Sequence, residues 1–135
     1  MKKINCILLV DDNPADNEFH KIIINESQVC NNVKVVTSGT KALEYIIKSG
    51  DDGPDFPKPD LIFLDINMPG MNGFEFLEEY HLLDAKLKSK IVIIMLSTSL
   101  NPDDAEKANR IKEVTEFMNK PLMVDTLKDT IEKYF

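Results

Sequence analysis

This chain has no tryptophan, two cysteines and a single arginine, Arg110. It has no glycine-rich phosphate loop, and no apolar run approaches the roughly 18 residues of a membrane-spanning helix. Each shortage excludes something. Two thiols far apart in sequence, Cys6 and Cys30, make neither a disulfide framework nor a zinc site; they read as reduced, packed side chains. Acids outnumber bases by 23 to 16, for a net charge of −7. Neutralising DNA phosphates takes lysine and arginine, so this balance argues against nucleic acid as a direct partner. It argues equally against an anionic membrane surface. The opening MKKINCILLV is basic then apolar, as a signal peptide is. Its apolar part is short and runs into Asp11 and Asp12 with no small-residue cleavage site. The expectation is a cytoplasmic protein.

What is present suits one globular domain spanning 1–135. The 135 residues are 43% apolar and 29% charged, and domains run to roughly 100–150 residues. A chain of this length buries enough surface to fold without a metal or disulfide staple. Short apolar runs alternate with amphipathic stretches. The runs are Ile7–Val10, the valines at 33, 35 and 36, Leu61–Leu64, Ile91–Leu96 and a fifth strand around 115–118. Between them, helical stripes run through Phe19, Ile22 and Ile23; Ala42, Leu43, Ile46 and Ile47; and Phe76, Leu77, Tyr80 and Leu83. A weak stripe follows at Ala105, Ala108 and Ile111, and a clean one at Val124, Leu127, Ile131 and Phe135. Five strands, apolar on both faces and alternating with five helices, predict a parallel sheet covered on each side, an α/β doubly wound fold. Asn13-Pro14 and Asn101-Pro102 each place an N-cap before proline at the first helical position, and Ser38 caps the second helix. The segment 49–60, with its prolines, glycines and aspartates, reads as a surface loop.

Ligands of open parallel sheets bind beyond the carboxyl ends of the strands. Asp11 and Asp12 follow the first run, Asp65 the third, Ser97, Thr98 and Ser99 the fourth, and Lys120 the fifth. An adjacent acidic pair is no signal by itself in so acidic a chain; its place directly after an apolar run is. Alternative roles stand beside each functional one: Asp12 or Asn13 as helix caps alone, and Asp65 as a cap or turn former. Together, however, three carboxylates in one pocket repel one another, and a hard divalent cation such as Mg²⁺ relieves that repulsion. Carboxylate, Mg²⁺ and an ammonium are the parts needed to accept a phosphoryl group. Residues 11–18 begin like a calcium loop, but Ala15 stands where a ligand is needed and position 16 is not glycine. No cysteine or histidine falls at an expected strand end. His20 and His81 read as surface residues on helices.

The succession LLVDDN, LIFLDINMPGMNG, IVIIMLSTS and FMNKPL resembles the CheY-like receiver domain of a two-component response regulator over about residues 4–135. The LSTS run and the proline-rich loop are similar to stand-alone receivers of the phytochrome-associated type. The resemblance implies a flavodoxin-like sheet of order 2-1-3-4-5. It implies Asp65 as phosphoacceptor and Asp12 as a direct Mg²⁺ ligand. Asp11 would act mainly through a bound water, and the main-chain carbonyl of Asn67 would be a further ligand. Lys120 would pair with Asp65 and then with the phosphoryl group. Ser97 aligns with the switch hydroxyl, with Thr98 as its rival, and Phe117 with the switch aromatic. The chain departs from the commonest pattern in a longer 49–60 loop, in serine for threonine at 97, and in phenylalanine for tyrosine at 117.

The implied function is a phosphorylation switch. A sensor histidine kinase or phosphotransfer protein donates to Asp65, and a downstream protein partner reads the changed face. The domain would catalyse only its own phosphorylation and slow dephosphorylation, as a monomer or weak homodimer. The alternative is a phosphorylation-independent binding module on the same fold. A third reading, a Mg²⁺-dependent phosphohydrolase with an aspartyl nucleophile, wants an acid two residues after that nucleophile, and Asn67 stands there.

Overall fold

The computed structural model describes residues 3–51 and 53–135. Met1 and Lys2, the start of the basic opening, and Asp52 of the 49–60 segment lie outside the described residues. Five strands form one parallel sheet in the order β2-β1-β3-β4-β5. They are β1 (Ile4–Val10), β2 (Cys30–Val36), β3 (Leu61–Leu64), β4 (Val92–Ser97) and β5 (Val114–Asn119). The helices are α1 (Pro14–Ser27), α2 (Gly39–Lys48), α3 (Gly73–His81), α4 (Ala85–Lys88), α5 (Pro102–Asn109) and α6 (Val124–Tyr134). The parallel, doubly wound sheet is the one the alternation of runs predicts, and its order is the one the family resemblance implied.

Alternation along the strands splits the core in two. Leu8, Val10, Ile62, Leu64, Ile93 and Met95 face α2, α3 and α5. Ile7, Leu9, Leu61, Phe63, Ile94 and Leu96 face α1 and α6. The expected caps are present: Asn13 accepts Asp16 N–H, Ser38 accepts Lys41 N–H and Asn101 accepts Asp103 N–H. Asn72 and Glu75 add a reciprocal capping box at α3.

Four features differ from the sequence reading. First, α4 is an added single turn, capped by Asp84. Second, the segment 49–60 is only partly a surface loop. It opens with a 3₁₀ turn, Ser49–Asp51, and buries Pro57 and Pro59. Tyr45 donates its hydroxyl to Pro57 O at 2.7 Å, and the Asp60 carboxylate accepts Asn5 N–H at 2.7 Å. Those bonds tie the segment to α2 and to the amino-terminal end of β1.

The third difference is the face of α1. Phe19 and Ile22 are 40% and 48% exposed, and the buried face is Asn17, His20, Ile23, Ile24 and Ser27. Hydrophobicity misplaced the stripe because polar groups of α1 are buried to meet backbone partners. The fourth follows from it: His20 is 3% exposed and not a surface residue. His81 is exposed, as expected, and pairs with Glu113.

Candidate functional site

The strand order reverses at β1, which has β2 on one side and β3 on the other. At such a switch point the connections diverge to opposite faces and leave a crevice at the strand ends. Ladder bonds set what stands there. Asp11 N–H reaches Val36 O at 3.2 Å, Asp65 N–H reaches Val10 O at 2.9 Å, and Lys120 N–H reaches Ser97 O at 2.8 Å. Each residue thus extends the sheet one step past its strand, which fixes its backbone before its side chain enters the pocket.

That pocket has a volume of about 400 Å³ and is lined by Asp11, Asp12, Asn13, Pro14, Asp16, Asp65, Asn67, Thr98 and Lys120. Asp11 and Asp65 are 4% and 7% exposed, and Asp12 stands more open. One oxygen from each of these three carboxylates lies within 4.8 Å of the others. The Lys120 ammonium donates to Asp11 Oδ2 at 2.6 Å and to Asp16 Oδ2 at 2.9 Å, and lies 3.4 Å from Asp65 Oδ1.

The charges do not balance. Burial and the neighbouring Asp11 charge raise Asp65 to about 6, against the opposing pull of Lys120. Burial acts to lower Lys120, but its bonds to Asp11 and Asp16 and the charge of Asp65 outweigh it and raise the ammonium. It stays protonated and cannot act as a base near neutrality. The donors are oxygen only and carry surplus negative charge, so the trio fits a hard divalent cation.

The site therefore brings together Asp11, Asp12, Asp65, Asn67 and Lys120. Ser97 and Phe117 lie outside its lining. Ser97 is fully buried, and its hydroxyl accepts Ser99 N–H at 3.0 Å. Ser99 Oγ donates to Asp104 Oδ2 at 2.6 Å and accepts Asn101 N–H at 3.2 Å, which links the end of β4 to the start of α5. Thr98, the rival hydroxyl, is the one that lines the pocket. Phe117 is half-buried against the core layer of α2, α3 and α5.

Gly73 explains how α3 meets Asp65. A Cβ there would stand 2.5 Å from Asp65 O, while Gly73 N–H reaches Ile66 O at 2.8 Å. Only a residue without a side chain lets the helix start so close to the acidic strand end.

Three residues of α1 were missed from the sequence: Asp16, Asn17 and His20. Asn17 donates to Asp11 O at 2.8 Å, and its Oδ1 is buried without a hydrogen-bond partner among the described residues. A small cavity of about 10 Å³ between Asp11, Asn17, His20 and Asp65 is close to the size of one water. His20 Nε2 accepts Leu122 N–H at 3.2 Å. Burial and the Lys120 charge lower the imidazole, so it stays neutral with its proton on Nδ1. The available signal was the spacing of polar residues 16, 17 and 20 on one helical turn.

A family profile described as the response regulator receiver domain matches residues 7–132. The chain belongs to this family. It is 33% identical over 98 residues to the response regulator Rcp1 of Synechocystis, covering 73% of this chain and 65% of that one. It is 28% identical over 132 residues to sporulation initiation phosphotransferase F of Bacillus subtilis, covering 95% of this receiver and 91% of that protein. The receiver spans 58% of the length of the two-component response regulator ARR15 of Arabidopsis thaliana, at 33% identity and 90% coverage of its own length. Among solved structures, a two-component response regulator from Cytophaga hutchinsonii superposes with a TM-score of 0.88 at 32% identity, covering 98% of both chains. The bacteriophytochrome response regulator AtBRR superposes at 0.75 with 27% identity, covering 98% and 93%. No helix among the described residues of this receiver is long and apolar enough to cross a membrane.

Proposed function

We propose that this receiver accepts a phosphoryl group on Asp65 from a phosphohistidine of a sensor kinase or phosphotransfer protein, with Mg²⁺ bound. One observation carries the reading. A nearly buried carboxylate stands within 4.8 Å of two others and 3.4 Å from a buried ammonium. The phosphotransferase activity in the name of the Bacillus relative agrees with it.

In the transfer, an Asp65 oxygen attacks phosphorus in line, and the P–N bond to the donor imidazole breaks. The imidazole keeps the electron pair and takes up a proton from solvent. Asp12, Asp65 and the main-chain carbonyl of Asn67 would hold the cation, with Asp11 acting mainly through water. When bound, the cation neutralises charge on the transferring oxygens. Lys120 supplies the complementary positive charge from the protein side and turns from its carboxylates to the new phosphoryl oxygens.

The phosphoryl group adds a charge of about −1.5 to −2. Ser97 then leaves Ser99 N–H and bonds a phosphoryl oxygen, which frees the Ser99 link to Asp104 of α5 and to its cap Asn101. Phe117 follows inward. α5 buries only Ala108, so little holds it in place, and a downstream protein partner reads the altered face of α5, β5 and α6. The domain works in the cytoplasm in this reading. Burial pushes both thiols up to about 11, so Cys6 and Cys30 stay inert.

The test is intact mass after incubation with acetyl phosphate and Mg²⁺, beside Asp65→Asn and a chelator control. A single phosphoryl adduct that needs Mg²⁺ and vanishes in Asp65→Asn is expected. No adduct together with no Mg²⁺ binding would overturn the switch and leave a constitutive binding module.

A further inference from the structure

Asp16 and His20 stand one turn apart on α1, so their side chains share a face. Both reach the same short turn after β5. Asp16 takes the Lys120 ammonium at 2.9 Å, and His20 takes Leu122 N–H at 3.2 Å. The two ends of Lys120-Pro121-Leu122 are thereby held by two side chains of one rigid helix. Asn17, between them in sequence, donates to Asp11 O at 2.8 Å. The same helix turn therefore sets the acidic end of β1 and the lysine turn against each other.

Packing alone does not account for His20. It is almost wholly buried, and its neighbours on that face, Ile23 and Ile24, are apolar. A buried imidazole is costly unless its polar atoms are satisfied. The next helix does not cap itself, because Met123 at the start of α6 makes no side-chain cap bond. Leu122 N–H lies one residue before that helix start, outside any helical ladder, and His20 is the acceptor that satisfies it.

We propose that Asp16 and His20 are positioning residues that hold the Lys120 turn so that its ammonium faces Asp65 before the phosphoryl group arrives. Lysine is a compact charge on a long flexible stem, so its aim depends on what fixes its backbone and its resting partner. His20 fixes the backbone through Leu122, and Asp16 supplies a resting partner outside the carboxylate trio. When the trio is filled by cation and phosphoryl group, Lys120 keeps one anchor on α1 while it turns. The proposal rests on the reading of Asp65 as phosphoacceptor.

The test compares His20→Leu, His20→Gln and Asp16→Asn with the wild-type chain. Glutamine offers an acceptor oxygen at a similar reach, whereas leucine fills the space without one. Two readouts are taken: the rate of adduct formation from acetyl phosphate with Mg²⁺, and the Cε–Hε NMR signal of ¹³C-labelled Lys120 without donor. His20→Leu should slow adduct formation by roughly 10-fold or more, as misplacing a group by about 1 Å does. It should also move the Lys120 signal toward that of a free surface lysine. His20→Gln should restore both to within about twofold of wild type. Asp16→Asn, at the pocket rim, should keep the fold and shift the Lys120 signal. A His20→Leu chain with the wild-type rate and signal would overturn the proposal. So would failure of glutamine to rescue a folded protein, since the acceptor would then not be what matters. If the wild type takes no phosphoryl group, the reading of Asp65 fails and the Lys120 signal alone decides the clasp.

Discussion

Lys120 Nζ stands 2.6 Å from Asp11 Oδ2 but 3.4 Å from Asp65 Oδ1. The ammonium thus rests closer to the acidic end of β1 than to the residue we take as phosphoacceptor. Lys120 and Asp11 are 109 residues apart in sequence, and their contact closes the pocket from two sides. It also means that Lys120 holds the trio together until a cation enters.

Removing that ammonium should expose the repulsion. In Lys120→Ala the buried carboxylates lose their partner, so the metal-free protein should lose about 3 kcal/mol. Mg²⁺ should then bind more tightly than in wild type and recover most of the loss. Thermal melts across a Mg²⁺ titration check both halves, and adduct formation should still fall steeply.

Asp65 has a pH signature. Its ordinary value is 3.8 and its folded value is raised to about 6, by burial and then by Asp11. A carboxyl raised on folding contributes stability that is fully present below 3.8 and lost as pH rises through about 6. Metal-free wild type should therefore lose about 2–3 kcal/mol, relative to Asp65→Asn, between pH 4 and 7. Saturating Mg²⁺, which holds Asp65 ionised in the folded state, should remove or reverse this loss. Denaturant melts of both proteins, with chelator and with Mg²⁺, make the comparison.

Gly73 is a steric requirement at the site. A Cβ there would meet Asp65 O at 2.5 Å, which is backbone and cannot swing aside. Gly73→Ala should destabilise the protein by about 1–3 kcal/mol, the usual cost of overpacking. It should also slow adduct formation by displacing Asp65. Gly53→Ala is the control, because nothing lies within 4 Å of its added carbon.

Phe19 and Ile22 are large, exposed and apolar on the outer face of α1, and Met123 is exposed before α6. Helix α1 packs beside α6. If Asp65 is the phosphoacceptor as proposed, this is the surface on which we expect a protein donor to rest. The double change Phe19→Ala, Ile22→Ala should slow transfer from a phosphorylated phosphotransfer protein and leave the rate from acetyl phosphate unchanged. Stability should move by no more than about 0.5 kcal/mol.

Helix α5 should be the loosest long element, since it buries only Ala108, whereas α6 buries Leu127, Thr130 and Ile131. Hydrogen exchange should show its amides opening well before those of α6. Phosphorylation should change their protection, whereas in Ser97→Ala it should change much less.

Much of this protein was legible in the sequence because the signals are local. Four-residue runs such as Leu61–Leu64, too short for a helix and bounded by proline and aspartate, read as buried strands, the Asn-Pro pairs mark helix starts, and residues placed directly after a strand stand at the sheet edge. That logic located Asp11, Asp12, Asp65 and Lys120 without coordinates. It failed at α1, where Phe19 and Ile22 looked like the core face and His20 like the surface. Which way a helix turns is decided by what it packs against, and here the backbone groups of Asp11 and Leu122 required polar partners from it. The same holds for the 49–60 segment, whose prolines are buried because Tyr45 and the ends of β1 hold it. Distances inside the pocket, and the choice of Asp11 and Asp16 over Asp65 as Lys120's closest partners, were decided only by the tertiary structure. They depend on three strand ends and one helix meeting across the whole length of the chain, and no local pattern encodes such a meeting.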